Sequence, residues 1–246
     1  MRGSAIEFRL RMVINTIIVV LGFWAPWIDA GMGSRVSLLE WTALELSRLG
    51  LLPFHQATPL VIGLAILLAA AGAVFRIWGS AYLGPAVVLH PGLNAQALIA
   101  GGPYRYVRNP LYLGLWFMVA AMAFVMPATG ALLSMALLTV FLMRLILGEE
   151  AFLRERLGEP YQAYLCAVPR LIPRLRTNLP SSPSRPRWLP AIFSELTPIG
   201  VLFTLAVLSW SYNDRLMLRA ILIAFGASLV VRAVMPGLKR EKGLAS

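Results

Sequence analysis

Apolar residues gather in blocks at Met12–Ile28, Pro59–Trp78, Leu111–Met126, Ala128–Leu147, Ala191–Trp210 and Leu216–Met235. Crossing about 30 Å of hydrocarbon takes about 20 helical residues, so the pattern predicts an all-α, polytopic transmembrane helical bundle of about six spans. Polar residues collect between the blocks. Only Met126-Pro127-Ala128 separates the third block from the fourth, which predicts a tight antiparallel hairpin with both open ends at one membrane face. That hairpin brings Gly101–Gly114 close to Gly148–Pro173. In "SLLEWTALELSRLG", after the first block, Leu38, Trp41, Leu44 and Leu49 fall near helical spacing, the pattern of an interfacial helix.

Composition strengthens this picture and charge orients it. Hydrophobic residues make up 59% of 246, and mean hydropathy is +0.73, too apolar for an ordinary soluble domain. The formal charge of +11 does not point to nucleic acid, because the basic residues sit in loops, where they orient the chain and contact anionic lipids. Arg2, Arg9 and Arg11, then Arg105 and Arg108, then Lys239, Arg240 and Lys242 fall on one side. The loop after the fourth block adds Arg154, Arg156, Arg170, Arg174, Arg176, Arg185 and Arg187, while the alternate loops hold only Arg35, Arg48 and Arg215. The positive-inside rule makes both termini cytoplasmic, in a multi-pass protein of the inner membrane if the cell is bacterial. The first block is a poor signal peptide, since Pro26-Trp27-Ile28-Asp29 lacks a small-residue cleavage site. Cys166 is the single cysteine, so no internal disulfide can form and no metal-ligand spacing exists; no metal site is expected.

"PRLRTNLPSSPSRPRWLP", Pro173 to Pro190, has the composition of an exposed linker. It divides a core at 1–173 from a hairpin and basic tail at 191–246, with the linker at 174–190. Glu195 and Arg232 each lie about one turn inside the same end of that hairpin, and a buried carboxylate needs a partner, so the two are expected to pair.

Two clusters carry candidate chemistry. "GGPYRYVRNPLYLG" packs three tyrosines, two arginines and two prolines into Gly101–Gly114, more than interfacial anchoring needs. "GEEAFLRERLGEPYQAYLCAVPRLIPR" follows the fourth block, with Glu149 and Glu150 at its start and Tyr161, Tyr164, Pro169 and Arg170 beyond. Taken singly each has an ordinary reading: an aromatic belt with topology-setting arginines, and a solvated helix end with Glu150 and Arg154 as an i,i+4 pair.

Together, "GPYRYVRNPLYLG", an apolar hairpin and "EEAFLRERLGEPYQAYLCAVPRLIP" resemble the isoprenylcysteine carboxyl methyltransferase and phospholipid methyltransferase family over about residues 75–173. Asn109 stands where that family usually has histidine, which removes any role for a titratable imidazole. The resemblance implies an S-adenosylmethionine-dependent methyltransferase with a cytoplasmic-side cofactor pocket, and a lipophilic acceptor arriving from the bilayer. It implies Arg108, Glu150 and Arg170 as catalytic residues. Gly102, Pro103, Tyr104, Tyr106, Val107, Asn109, Pro110, Tyr112, Glu149, Tyr161 and Tyr164 are implied on the cofactor.

Those residue types suit the task. Prolines stiffen the segment, glycines allow close backbone approach, and aromatic faces and carboxylates attract a sulfonium. Arg108 or Arg170 can hold a carboxylate by bidentate bonds. Glu149 and Glu150 can bind the cofactor's amino or ribose groups, or hold an arginine in place. A carboxylate acceptor needs no general base, and His55 and His90 are the only histidines. Hence a carboxylate is favoured slightly over an amine or thiol, although Glu150 could serve an amine. Prenylated protein, aminophospholipid, quinone-like lipid and small hydrophobic thiol stay open as acceptors, as does the oligomeric state. Two rival readings are a membrane NAD(P)H-dependent reductase of sterol-reductase type and a non-catalytic membrane adaptor retaining the fold.

Overall fold

The computed structural model describes residues 5–24, 36–82, 101–177, 179, 185–208 and 214–234. Among them are nine α-helices, one 3-10 turn and no strand, so the all-α expectation holds. Helix α1 is Ala5–Phe23, α2 Leu38–Arg48, α3 Phe54–Tyr82, α4 Pro110–Ala123 and α5 Ala128–Leu157. Beyond them, α6 is Glu159–Ala167, α7 Trp188–Ser194, α8 Leu196–Leu208 and α9 Asp214–Val234. Among the described residues two helices, α3 and α5, are long and apolar enough to cross a membrane, and a third span results if α7 and α8 are taken as one bent unit. Their outward faces expose Leu60, Leu64, Leu67, Leu132 and Val140, as lipid contact requires.

Several helices depart from the apolar blocks, each for a local reason. The fourth block starts at Ala128 as expected, but its helix runs ten residues past Leu147, to Leu157. Glu149, Glu150, Ala151, Leu153 and Arg154 are all good helix formers, and nothing stops the helix before Gly158, whose φ of +62° glycine adopts without strain. At 30 residues α5 is about 45 Å long, so its charged turns extend past the hydrocarbon. The third block's helix, in contrast, ends at Ala123 rather than Met126. The carbonyls of Phe124 and Met126 turn instead to accept the N–H groups of Leu39 and Leu38, at 2.9 and 2.8 Å, satisfying the open start of α2. A reciprocal capping box between Ser37 and Glu40 satisfies the rest. The predicted interfacial helix is thus docked on the α4–α5 turn.

The fifth block is not one straight helix. It breaks between α7 and α8 with a bend of 69°, because Pro198 cannot donate to the carbonyl of Ser194 and its ring would clash there. Glu195 occupies the break and is 4% exposed. Among the described residues its partner is Arg76 of α3, with Nε 2.6 Å from the carboxylate; the expected pairing with Arg232 falls on a side chain outside the described residues.

Helices α3 and α4 make the most extensive contact. A Cβ on Gly72 would sit 2.9 Å from the Gly114 carbonyl oxygen, and one on Gly114 would sit 2.6 Å from Arg76 Cγ. Small residues at a crossing allow this backbone-to-backbone approach. One core joins Ala69 of α3, Met118 and Met122 of α4, Leu138, Phe141 and Leu145 of α5, Val201 and Leu205 of α8, and Ile221 of α9. Helix α1 packs on α5, where Arg144 meets Glu7 at 2.9 Å.

Candidate active site

The tyrosine-rich segment begins as a 3-10 turn over Gly102–Arg105. Gly102 has a φ of +51°, and a Cβ there would run into the Tyr82 ring. Pro103, Val107 and Pro110 are fully buried and anchor the segment, while Tyr104, Tyr106 and Tyr112 are half-buried. The Trp78 and Tyr106 rings lie 6.0 Å apart.

The hairpin brings the second cluster alongside, as its spacing predicts. Arg108 N–H donates to the Pro169 carbonyl at 2.9 Å, and Arg174 N–H donates to the Tyr106 carbonyl at 3.0 Å. Between them, Asn109 Nδ2 donates to the Arg170 carbonyl at 3.2 Å. Asn109 precedes α4 but does not cap it; its amide clips the two segments together. Tyr164 Oη closes the other edge by donating to the Tyr104 carbonyl at 2.8 Å. Tyr161 and Tyr164 are buried against each other and against Leu153 and Leu157, so these rings support the loop from behind.

Glu150 lies at the centre. It is 6% exposed and sits two turns before the end of α5, not at a solvated helix end. Its partner is not Arg154. Arg170 grips the carboxylate through Nη2 at 2.8 Å and Nε at 3.1 and 3.2 Å, and Arg108 Nη1 approaches the other side at 3.3 Å. One carboxylate between two guanidinium groups leaves one net positive charge. Arg108 Nε is buried and has no hydrogen-bond partner among the described residues. A buried donor on a charged group is costly unless an acceptor reaches it, so this atom is a donor open to an incoming acceptor. Glu149, on the neighbouring face, accepts from Tyr112 Oη at 2.7 Å.

The protonation states follow from burial and charge. The hydrogen bonds from Glu150 hold the Arg170 guanidinium protonated even more firmly than usual. Burial, and then the charge of Glu150, push Tyr161 up to about 12. Burial also raises Tyr104 and Tyr164 above the ordinary phenol range. These tyrosines are neutral donors near neutral pH, not bases.

Some of this arrangement was not anticipated. Arg76, Trp78 and Tyr82 abut the loop, and Ser80 and Glu195 lie behind them, Glu195 accepting from Arg76 and Ser80. The available signal was Arg76 itself, since an ionisable residue inside an apolar run implies a buried partner and a role. Arg144 carries the same signal for Glu7. His90 lies outside the described residues.

The fold and its site define an all-α membrane protein with a cationic, aromatic-lined loop clamped to the charged end of a helical hairpin. Residues 60–160 match the family described as phospholipid methyltransferase, a family of integral membrane methyltransferases that includes the isoprenylcysteine carboxyl methyltransferases. The match takes in Arg108, Glu149 and Glu150 but stops before Arg170 and Glu195. No curated relative and no solved structure matches the chain.

The Asn109 clip yields a stability expectation. Asn109→Asp sets an acceptor against the Arg170 carbonyl and is expected to cost about 1–3 kcal/mol, the penalty for an unsatisfied buried group. Asn109→His restores an N–H donor and is expected to cost much less. Thermal unfolding of both variants in the same detergent checks the ranking; equal losses would show that the amide's donor is not what matters.

Proposed function

We propose that this membrane methyltransferase uses S-adenosylmethionine and methylates a lipophilic acceptor that enters from the bilayer, a carboxylate in preference to an amine or thiol. The observation that carries the reading is the buried Arg108 Nε, left without an acceptor among the described residues beside a cluster of net positive charge. Arg108 and Arg170 are placed to hold a carboxylate such as the one on the cofactor's methionine part. Tyr104, Tyr106 and Tyr112 present half-buried rings for an adenine or a cationic sulfur. When bound, the cofactor supplies an electrophilic methyl group.

The chain's own residues mainly align reactants, the larger part of what an in-line displacement needs. Glu150 is occupied by two arginines. Glu149 keeps Tyr112 in place. With neutral phenols and a doubly paired Glu150, the described site is short of bases, which supports an acceptor already ionised at neutral pH.

Methyl-labelled cofactor incubated with membranes, followed by alkaline treatment of the labelled product, tests both parts. Base releases methyl from an ester but not from an amine or thioether, so base-stable label would overturn the carboxylate preference, and no label would overturn the activity. Parallel titrations with S-adenosylhomocysteine and NADPH separate this reading from a reductase.

We place this site, with both termini, on the cytoplasmic side. Cys166 is the single cysteine and is exposed on α6, beside the site. An impermeant maleimide is expected to label it in inverted vesicles and not in intact cells; the reverse result would turn the topology over.

A further inference from the structure

Beyond Pro173, Leu179 and Arg187 bond back to the loop and to the end of α3. Arg105 donates through Nε to the Leu179 carbonyl at 3.0 Å, and Arg187 N–H donates to the Ala81 carbonyl at 2.9 Å. At the break after α7, the buried carboxylate of Glu195 accepts from Arg76 Nε and from Ser80 Oγ, each at 2.6 Å. Arg76 Nη1 also reaches the Leu111 carbonyl at 3.4 Å, in the first turn of α4.

Arg76 and Ser80 are one turn apart at the end of α3, and that end is the floor beneath the cofactor loop. Trp78 lies against Tyr106, the Gly79 carbonyl faces Tyr104 Oη at 3.5 Å, and Tyr82 lies against Gly102. Glu195 therefore bonds residues that lie within two positions along α3 of three contacts that set the loop's position. The break forced by Pro198 turns it inward.

We infer that Glu195 is a positioning residue for the cofactor loop: through Arg76 and Ser80 it fixes the end of α3 on which Gly102–Tyr106 rests, so that the C-terminal hairpin completes the site. The inference depends on the reading of that loop as the cofactor's. The hairpin lies outside the matched domain, and nothing in the match assigns it a role.

The test measures S-adenosylhomocysteine affinity and thermal midpoint for three full-length variants in one detergent. Glu195→Gln keeps the shape and removes the charge that holds Arg76; it is expected to weaken binding by about tenfold, ~1.4 kcal/mol. Ser80→Ala removes one of the two anchors, creates no clash and is expected to weaken binding by a few-fold; it serves also if Glu195→Gln does not fold. Thr197→Ala removes the 2.7 Å bond to Ser228 Oγ, which joins α8 to α9 and involves neither Arg76 nor Ser80. It is expected to lower the midpoint and leave affinity unchanged. Wild-type affinity in Ser80→Ala and Glu195→Gln would overturn the inference, as would an affinity loss in Thr197→Ala matching theirs at equal loss of midpoint, since affinity would then follow stability alone. A wild-type chain that binds no S-adenosylhomocysteine would overturn the cofactor reading instead.

Discussion

Glu150→Gln is expected to reduce S-adenosylhomocysteine affinity by about a hundredfold and to lower the thermal midpoint clearly. The amide copies the shape of the carboxylate but not its charge, and its NH2 must face a guanidinium donor. Both guanidinium groups then remain in the site with no counter-charge. Removing one partner of a buried ion pair costs about 3–5 kcal/mol. The Arg108 side chain is 12% exposed and that of Arg170 37%; water relieves part of the cost at Arg170, so the lower end of that range, about 3 kcal/mol, applies. An exposed i,i+4 pair with Arg154 would have cost only about 0.3–0.5 kcal/mol. The neighbouring Glu149→Gln is the internal control. Its Oε1 accepts from Tyr112, an amide oxygen accepts equally well, and the expected loss is less than tenfold. Isothermal titration and thermal unfolding on both variants decide the matter, and a Glu150→Gln protein with wild-type midpoint and affinity would show that the two arginines do not depend on it.

Arg108→Lys is expected to separate the cofactor's two halves. Lysine can still reach Glu150 with its ammonium group, but it has nothing at the position of Nε, the buried donor open to an incoming acceptor. A charge-assisted hydrogen bond is worth about 1.5–3 kcal/mol, so affinity for S-adenosylhomocysteine should fall roughly ten- to a hundredfold. Methylthioadenosine has the same nucleoside and sulfur but no amino-acid carboxylate. Its affinity, already weak, should be the same for wild type and variant. A variant that loses both ligands equally would assign the Arg108 side chain to holding the loop, through its ion pair with Glu150, rather than to binding the carboxylate.

These expectations rest on residues that differ in how readily the chain reveals them. Gly101–Gly114 and the Glu149-Glu150 pair could be found because their types and spacing are local, and the three-residue turn at Met126-Pro127-Ala128 leaves two adjoining helices little choice but to lie antiparallel. Helix ends were less legible. Hydropathy marks where a segment stops preferring lipid, whereas a helix stops where a backbone signal tells it to, and in α5 that signal is Gly158, ten residues beyond the last apolar position of the block. The break at Glu195 was signalled by Pro198, which an apolar count passes over.

By itself the sequence determined which segments avoid water, that they are helical, and which two polar clusters a hairpin must bring to one end; each depends on residue type and short-range spacing. Only the tertiary structure decided the partners of the charges. Glu150 takes Arg108 and Arg170 because the close α4–α5 turn and the clip from Asn109 to the Arg170 carbonyl bring two loops across its face. Glu195 takes Arg76 because the close crossing at Gly72 and Gly114 places α3 deep in the core, where the bend after α7 delivers a carboxylate. A buried charge binds whatever opposite charge the packing sets within about 3 Å, since isolation costs several kcal/mol, and that neighbour can lie more than a hundred residues away along the chain.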